Sequence, residues 1–120
     1  MNIKKKLLNI KNLNVSLNKK YILQSLNLNI NSGEIHVLMG PNGVGKSTLA
    51  TILAGNFSNY EISGEINYNN LNLLSSKPDE LALNGIFLSF QNPVEIPGLS
   101  NFEFFKAFVN SKRKFNNLDP

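Results

Sequence analysis

Apolar and polar residues alternate through the first third of the chain. Leu8, Ile10, Leu13, Val15 and Leu17 recur between mostly polar neighbours, and Asn12-Leu13 shifts the phase. That pattern predicts a half-buried antiparallel strand over 8–17, with a bulge where the phase slips. Asn18-Lys19-Lys20 predicts a turn; Tyr21-Ile22-Leu23 and the clean alternation Leu26-Asn27-Leu28-Asn29-Ile30 predict a second strand. After a turn at Asn31-Ser32-Gly33, residues 34–39 become mostly apolar, as a strand buried on both faces should be. Residues 49–54 then read as helix, with Gly55 placed to end it in the left-handed conformation.

The second half of the chain is marked by its punctuation. Gly64-Glu65-Ile66-Asn67-Tyr68 predicts a short strand. Ser76-Lys77-Pro78-Asp79 offers a capping serine and a first-turn proline for a helix that runs to Asn84 and stops at Gly85. Ile86-Phe87-Leu88-Ser89-Phe90 is apolar enough for another core strand, and the two prolines in 91–98 make that stretch a loop. Ser100-Asn101-Phe102-Glu103 has capping-box spacing before a helix holding Phe104, Phe105 and Phe108. The i, i+4 spacing of Phe104 and Phe108 assigns that pair to a core. An antiparallel layer followed by strand, loop and helix predicts a mixed α/β fold.

Between the apolar run and the first helix lies Gly40-Pro41-Asn42-Gly43-Val44-Gly45-Lys46-Ser47-Thr48, a match to the phosphate-loop pattern G-x-x-x-x-G-K-[ST]. Its flanking strand and helix are the context that pattern requires. Gly40 and Gly45 permit backbone angles and a close approach that a Cβ would block, and Gly43 helps the turn. Successive N–H groups can then face phosphate oxygens, reinforced by the positive end of the helix. Lys46 brings a charge to the β- and γ-phosphates, and the Ser47 hydroxyl can ligate Mg²⁺. Nucleotide binding is the expectation.

Composition narrows this reading. The 120 residues are 42% hydrophobic and 17% charged, which allows one modest packed domain. With no Cys and one His, disulfides and a cysteine nucleophile are excluded, and any metal is expected to arrive with the nucleotide. The net charge of +4 is dispersed apart from Lys4-Lys5-Lys6 and Lys112-Arg113-Lys114, both read as solvated surface, so nucleic acid is not an expected partner. No apolar run approaches membrane-spanning length, and polar residues interrupt the region after Lys4-Lys5-Lys6 where a signal peptide would need to be apolar. Direct membrane insertion is therefore not expected. His36, inside the predicted buried strand, is read as a hydrogen-bonded core histidine.

The layout resembles the first half of an ATP-binding cassette ATPase, and within that superfamily it most resembles the SufC-type ATPases of Suf iron–sulfur cluster assembly. Gly33-Glu34-Ile35-His36, Leu38-Met39-Gly40-Pro41-Asn42-Gly43 and Gly45-Lys46-Ser47-Thr48-Leu49 carry the first resemblance. Phe90-Gln91-Asn92-Pro93-Val94-Glu95-Ile96-Pro97-Gly98-Leu99-Ser100-Asn101, following Gly85-Ile86-Phe87, carries the more specific one. The implied fold is a P-loop NTPase of the cassette type, an antiparallel β layer plus a Walker A βα core. Residues 1–120 would form part of one nucleotide-binding domain, with about 1–90 the core and about 91–120 the Q-loop and the start of a helical subdomain. Gly40 to Thr48 would hold ATP, Ser47 and Gln91 would ligate its Mg²⁺, and Tyr21 would either stack on adenine or pack on the core as an ordinary strand tyrosine.

The same resemblance implies docking on SufB- and SufD-like scaffold proteins through the segment after Gln91, with Phe105, Glu95 and Leu99 as candidate contacts. It also implies an ATP-dependent self-dimer in the whole protein, in the cytoplasm, or in the plastid stroma if the gene is organellar. The LSGGQ-type signature, the Walker B aspartate, the catalytic glutamate and the switch histidine of complete cassettes are not found after Gln91. Asp79-Glu80 is rejected as Walker B because it sits at a polar helix start. The expectation is ATP hydrolysis by a complete protein and nucleotide binding without turnover by these 120 residues. The alternatives are the nucleotide-binding subunit of a membrane transporter, or a non-catalytic fragment.

Overall fold

A computed structural model describes residues 5–119; Lys4 of the first basic run and Pro120 lie outside them. Strand β1 (Lys6–Leu17) turns at Asn18-Lys19 into β2 (Lys20–Asn31) and pairs with it antiparallel. Both turn residues have positive φ, 50° and 63°, the twist that suits a two-residue hairpin. Strand β3 (Glu61–Tyr68) pairs on the other side of β1, and the short β4 (Leu71–Asn72) extends the sheet, giving the order β2-β1-β3-β4.

The bulge predicted at Asn12-Leu13 is present. Asn12 has φ 47°, and the β1–β2 register jumps from Ile10↔Leu28 to Leu13↔Leu26. Asparagine side chains replace the ladder bonds lost there. The Asn12 N–H donates to Asn27 Oδ1 at 2.9 Å, and the Ser25 N–H donates to Asn14 Oδ1 at 2.9 Å. Part of the high asparagine content of these strands thus satisfies backbone groups that would otherwise go unpaired.

One core lies beneath the sheet. Ile10, Leu13, Val15 and Ile66 from the strands meet Leu49 and Ile52 of α1 (Lys46–Leu53), with Leu73 and Leu81 closing one end. Leu81 belongs to α2 (Pro78–Leu83) and Leu73 to a 3-10 turn before it, an element the hydrophobic pattern did not announce. Gly55 follows α1 with φ 89°, the left-handed stop expected of it.

Two expected strands are not strands. Residues 34–39 run without ladder partners among the described residues, and Ile35 and Met39 are 94% and 85% exposed. Residues 86–90 are likewise unpaired, with Phe87 and Phe90 exposed. A doubly buried strand needs a neighbour on each side and a layer on each face, and no described segment supplies them to 34–39. His36 is accordingly not a core histidine: it is exposed, with Nε2 3.2 Å from Glu34 Oε2. The helix cap expected at Ser76 moves one residue on. Ser76 is buried and donates its hydroxyl to the Asn72 carbonyl at 2.8 Å, while the Lys77 N–H donates to Glu80 Oε2 at 3.1 Å. Asp79 and Glu80 form the first turn of α2, a site where carboxylates favour the helix dipole.

Helix α3 (Asn101–Phe115) touches α2 at one end. Phe108 packs on Phe87 with ring centroids 5.3 Å apart, and the Lys112 ammonium donates to the Leu83 carbonyl, one of the unpaired acceptors at the end of α2. Phe104 and Phe108 are exposed, 47% and 40%, so the core assignment of that pair fails: among the described residues, α3 presents these phenylalanines to solvent and to Phe87 and does not bury them.

The capping box at the start of α3 is formed as expected. The Glu103 N–H donates to Ser100 Oγ at 3.2 Å, and Glu103 Oε2 accepts from both the hydroxyl and the N–H of Ser100. These bonds, the hydroxyl's foremost, hold the Glu103 carboxyl below its ordinary value. A depressed carboxylate stabilises the fold above the unfolded-state pKa and stops doing so as pH falls through the folded one. Acidification below about pH 4 should therefore fray the first turn of α3, seen as loss of helical Cα shifts at 101–104. Glu103→Gln should leave that region insensitive to pH across the same range.

Candidate functional site

Three local devices build the site. Gly45 is the N-cap of α1, with φ 101°, and it lies directly against β2: a Cβ placed there would meet Leu23 Cδ2 at 2.8 Å and Ile22 Cγ2 at 3.0 Å. Glycine is needed both for the backbone angle and for the close approach. Helix α1 starts with no side-chain cap and no acidic residue in its first turn, so its N–H donors and positive end are left for an anion. The Lys46 side chain folds back over the loop and donates to the carbonyls of Gly40 and Pro41, the latter at 3.0 Å.

The loop forms one wall of a depression of about 400 Å³, lined there by Asn42, Gly43, Gly45, Lys46, Ser47 and Thr48. Leu17, Lys20, Tyr21 and Ile22, from the tip of the β1–β2 hairpin, form the other wall. The structure thus brings Tyr21 to the wall facing the loop, with 62% of its surface exposed. Gly40 and Pro41 serve from outside the depression, through the carbonyls that hold Lys46. Val44 packs its Cγ2 close to Gly40. Gln91 is exposed in a bend after the 86–90 segment and does not line the depression, so the structure does not bring it to Ser47.

Leu17, Lys20 and Ile22 were missed by sequence reasoning. The hairpin register, which sets Leu17 against Lys20 and Ser16 against Tyr21, was the available signal. Its closure over the loop depends on Gly45 packing against Ile22 and Leu23, a contact across more than twenty positions of sequence.

Chemically, the depression suits a polyphosphate. Its charged side chains are two lysines, and among its lining residues none is a carboxylate. The described residues hold no group of three or more His, Cys, Asp or Glu able to bind a metal ion. The Ser47 hydroxyl fits Mg²⁺ only as one ligand among phosphate oxygens and water, in keeping with that ion's habit of arriving with a nucleotide.

A second depression, about 820 Å³ and largely apolar, lies between the 90–99 segment and α3. Glu95 and Leu99 line it with Phe90, Val94, Ile96 and Phe104, whereas Phe105 is not part of its lining.

Strand layer, glycine loop and helix with its lysine define a P-loop nucleotide-binding core of the cassette ATPase type. The family model described as ABC transporter matches residues 23–119, and the chain belongs to that family. It is 48% identical over 119 residues to the "Probable ATP-dependent transporter ycf16" of Trieres chinensis, covering 99% of this chain and 47% of that protein. It is 48% identical to the "Probable ATP-dependent transporter slr0075" of Synechocystis, covering 94% of this chain and 44% of the relative. With the "Probable ATP-dependent transporter SufC" of Escherichia coli it shares 46% identity, over 91% of this chain and 44% of that one. The chain thus spans less than half the length of these curated relatives. Among solved structures, a nucleotide-free ATP-binding cassette from an ABC transporter superposes with a TM-score of 0.65 at 25% identity, over 93% of this chain and 50% of that one. Among the described residues no helix is long and apolar enough to cross a membrane.

Proposed function

We propose that this chain is the ATP-binding portion of a SufC-like ATPase that couples ATP binding and hydrolysis to a SufB–SufD scaffold in iron–sulfur cluster assembly. The observation that carries the nucleotide half of this reading is the uncapped start of α1 at Gly45, with Lys46 held over the loop. The relatives named ycf16 and SufC, at 48% and 46% identity, support the finer assignment. In this reading residues 40–48 hold the triphosphate and Ser47 ligates its Mg²⁺. Gln91 completes the metal site only if its bend moves toward Ser47. The 90–99 segment and α3 begin the scaffold-facing surface, in the cytoplasm or plastid stroma. Residues 1–120 are part of one nucleotide-binding domain, with core and Q-loop segments dividing near residue 90. Hydrolysis and ATP-dependent dimerisation belong to the complete protein, and these 120 residues bind without turnover.

Equilibrium dialysis of the 120-residue chain against ATP tests the site. Mg²⁺ should tighten binding relative to EDTA, and Ser47→Ala should remove most of that enhancement while leaving metal-free binding within about threefold. Binding indifferent to Mg²⁺ in the parent chain would count against the assigned role of Ser47. The word "transporter" in the relatives' names favours a second reading, the nucleotide-binding subunit of a membrane transporter. Affinity capture from the native source separates the two, SufB/SufD-like proteins in one case and a membrane permease in the other.

A further inference from the structure

The chain has two Asn-Gly pairs, Asn42-Gly43 in the phosphate loop and Asn84-Gly85 at the end of α2. In such a pair the glycine nitrogen can attack the asparagine side-chain carbonyl, because no Cβ crowds the approach and the backbone turns freely. Both pairs are exposed, and both glycines have positive φ, 87° and 102°. Exposure and backbone conformation therefore do not separate them. Hydrogen bonding does.

The Asn84 pair is tied down. Asn84 Nδ2 donates to the Glu80 carbonyl at 2.8 Å, and the Gly85 N–H donates to the Ala82 carbonyl at 3.0 Å. Both reacting groups must break a bond before they can meet. Asn42 and Gly43 instead line the depression, and a Cβ on Gly43 would meet nothing within 4 Å, so the loop has room to close a ring. Among the described residues neither the Asn42 amide nor the Gly43 N–H has a hydrogen-bond partner. The local charge favours the reaction too. Lys46, held in the same loop by the carbonyls of Gly40 and Pro41, and the positive start of α1 stabilise negative charge on a deprotonated glycine nitrogen.

We propose that Asn42 is a modification site, at which the phosphate loop closes its own nucleotide site by deamidation unless bound triphosphate holds the reaction off. The deprotonated Gly43 nitrogen bonds to Asn42 Cγ, the bond from Cγ to Nδ2 breaks, and ammonia leaves with the proton, giving a cyclic imide. Water then adds to one imide carbonyl, and the ring opens to aspartate or to isoaspartate. Either product sets a carboxylate in a depression whose charged side chains are Lys20 and Lys46, where the triphosphate must place its own negative charge. Isoaspartate also lengthens the main chain by one carbon inside the N–H cradle. A bound triphosphate engages the N–H groups of that cradle, so the Gly43 nitrogen neither loses its proton nor turns. These consequences for binding rest on the nucleotide-binding reading; the conversion itself does not.

The test is incubation of the 120-residue chain in mildly alkaline buffer, with and without Mg-ATP, with mass spectrometry localising each amide-to-acid conversion. Asn42 should convert at least about tenfold faster than Asn84, which has two hydrogen bonds to break. Saturating Mg-ATP should slow Asn42 and leave Asn84 unchanged. ATP affinity of the parent chain, followed by equilibrium dialysis, should decline in step with conversion. Asn42→Gln, whose ring would be one atom larger and closes slowly, should hold its own starting affinity throughout. Fresh Asn42→Asp should reproduce the decline, with at least about tenfold weaker ATP binding. Equal rates at the two pairs, or conversion of Asn42 with ATP affinity unchanged, overturns the proposal. If the fresh parent chain binds no ATP, the nucleotide reading falls and the closing of the site falls with it, while the rate contrast still judges the chemistry at Asn42.

Discussion

Gly64→Ala should destabilise the chain by at least about 3 kcal/mol, the largest effect expected of any single methyl group here. Gly64 lies in β3 opposite the β1 bulge, with φ 112°, beyond the small left-handed region that residues with a Cβ can enter. A Cβ at that position would lie 2.5 Å from the Asn12 carbonyl oxygen, 2.9 Å from its carbon and 2.8 Å from Leu13 Cα. All three contacts are backbone, so no side chain can rotate away. Relief requires moving β3 off β1 or flattening the bulge. Flattening it would break the Asn12 N–H bond to Asn27 and shift Leu13, which is fully buried. Urea titration followed by circular dichroism measures the cost, with Ser63→Ala as the comparison. Ser63 is the exposed neighbour on the same strand, and its loss should change stability by less than about 0.5 kcal/mol. Equal midpoints for the two variants would mean that the strands do not approach as closely at the bulge as the structure has them.

That bulge was legible in the sequence because its cause is local. An alternating strand that must bury Leu8, Ile10, Leu13 and Val15 on one face has to insert a residue between Ile10 and Leu13, and asparagine tolerates the positive φ this imposes. The capping box at Ser100 and Glu103 and the stop at Gly55 were legible for the same reason: each is decided within a few residues. The phosphate loop was legible because its chemistry is written in backbone freedom and one cation, also within nine positions.

What the pattern could not supply was the presence of partners. The apolar run at 34–39 states correctly that the segment is suited to burial, yet a strand exists only when another strand is there to pair, and hydrophobicity carries no information on that. The same holds for Phe87 and Phe90, and for the face of α3 that bears Phe104 and Phe108. Ser76 illustrates a finer failure. Its hydroxyl suits an N-cap, but the Asn72 carbonyl competes for it once the 3-10 turn at 73–75 forms, and a turn that short has no periodicity to betray it. In the site, the loop wall could be read from the motif and the hairpin wall could not, except for Tyr21. Leu17 and Lys20 become wall residues only because β2 packs against Gly45.

Lys46→Ala should reduce affinity for ATP and for inorganic triphosphate by about 100-fold, from loss of charge-assisted bonds worth about 1.5–3 kcal/mol each. The structure explains why one ammonium should matter so much when Lys20 shares the depression. Lys46 is fixed before any ligand arrives, by the carbonyls of Gly40 and Pro41, at the edge of the N–H cradle where α1 begins. Little side-chain entropy then remains to be lost on binding. Lys20 is exposed at the hairpin tip, where solvent and salt screen it, so Lys20→Ala should weaken the same ligands only a few-fold and chiefly at low ionic strength. Lys46→Arg keeps the charge and should still bind poorly, because a planar guanidinium cannot reproduce the paired carbonyl contacts of a compact ammonium. Calorimetric titration of the parent chain and the three variants ranks them. If Lys46→Ala and Lys20→Ala lose affinity equally, the phosphates are held by diffuse positive charge and not by the loop. If Lys46→Ala alone collapses, the triphosphate sits where the glycine backbone and the start of α1 converge.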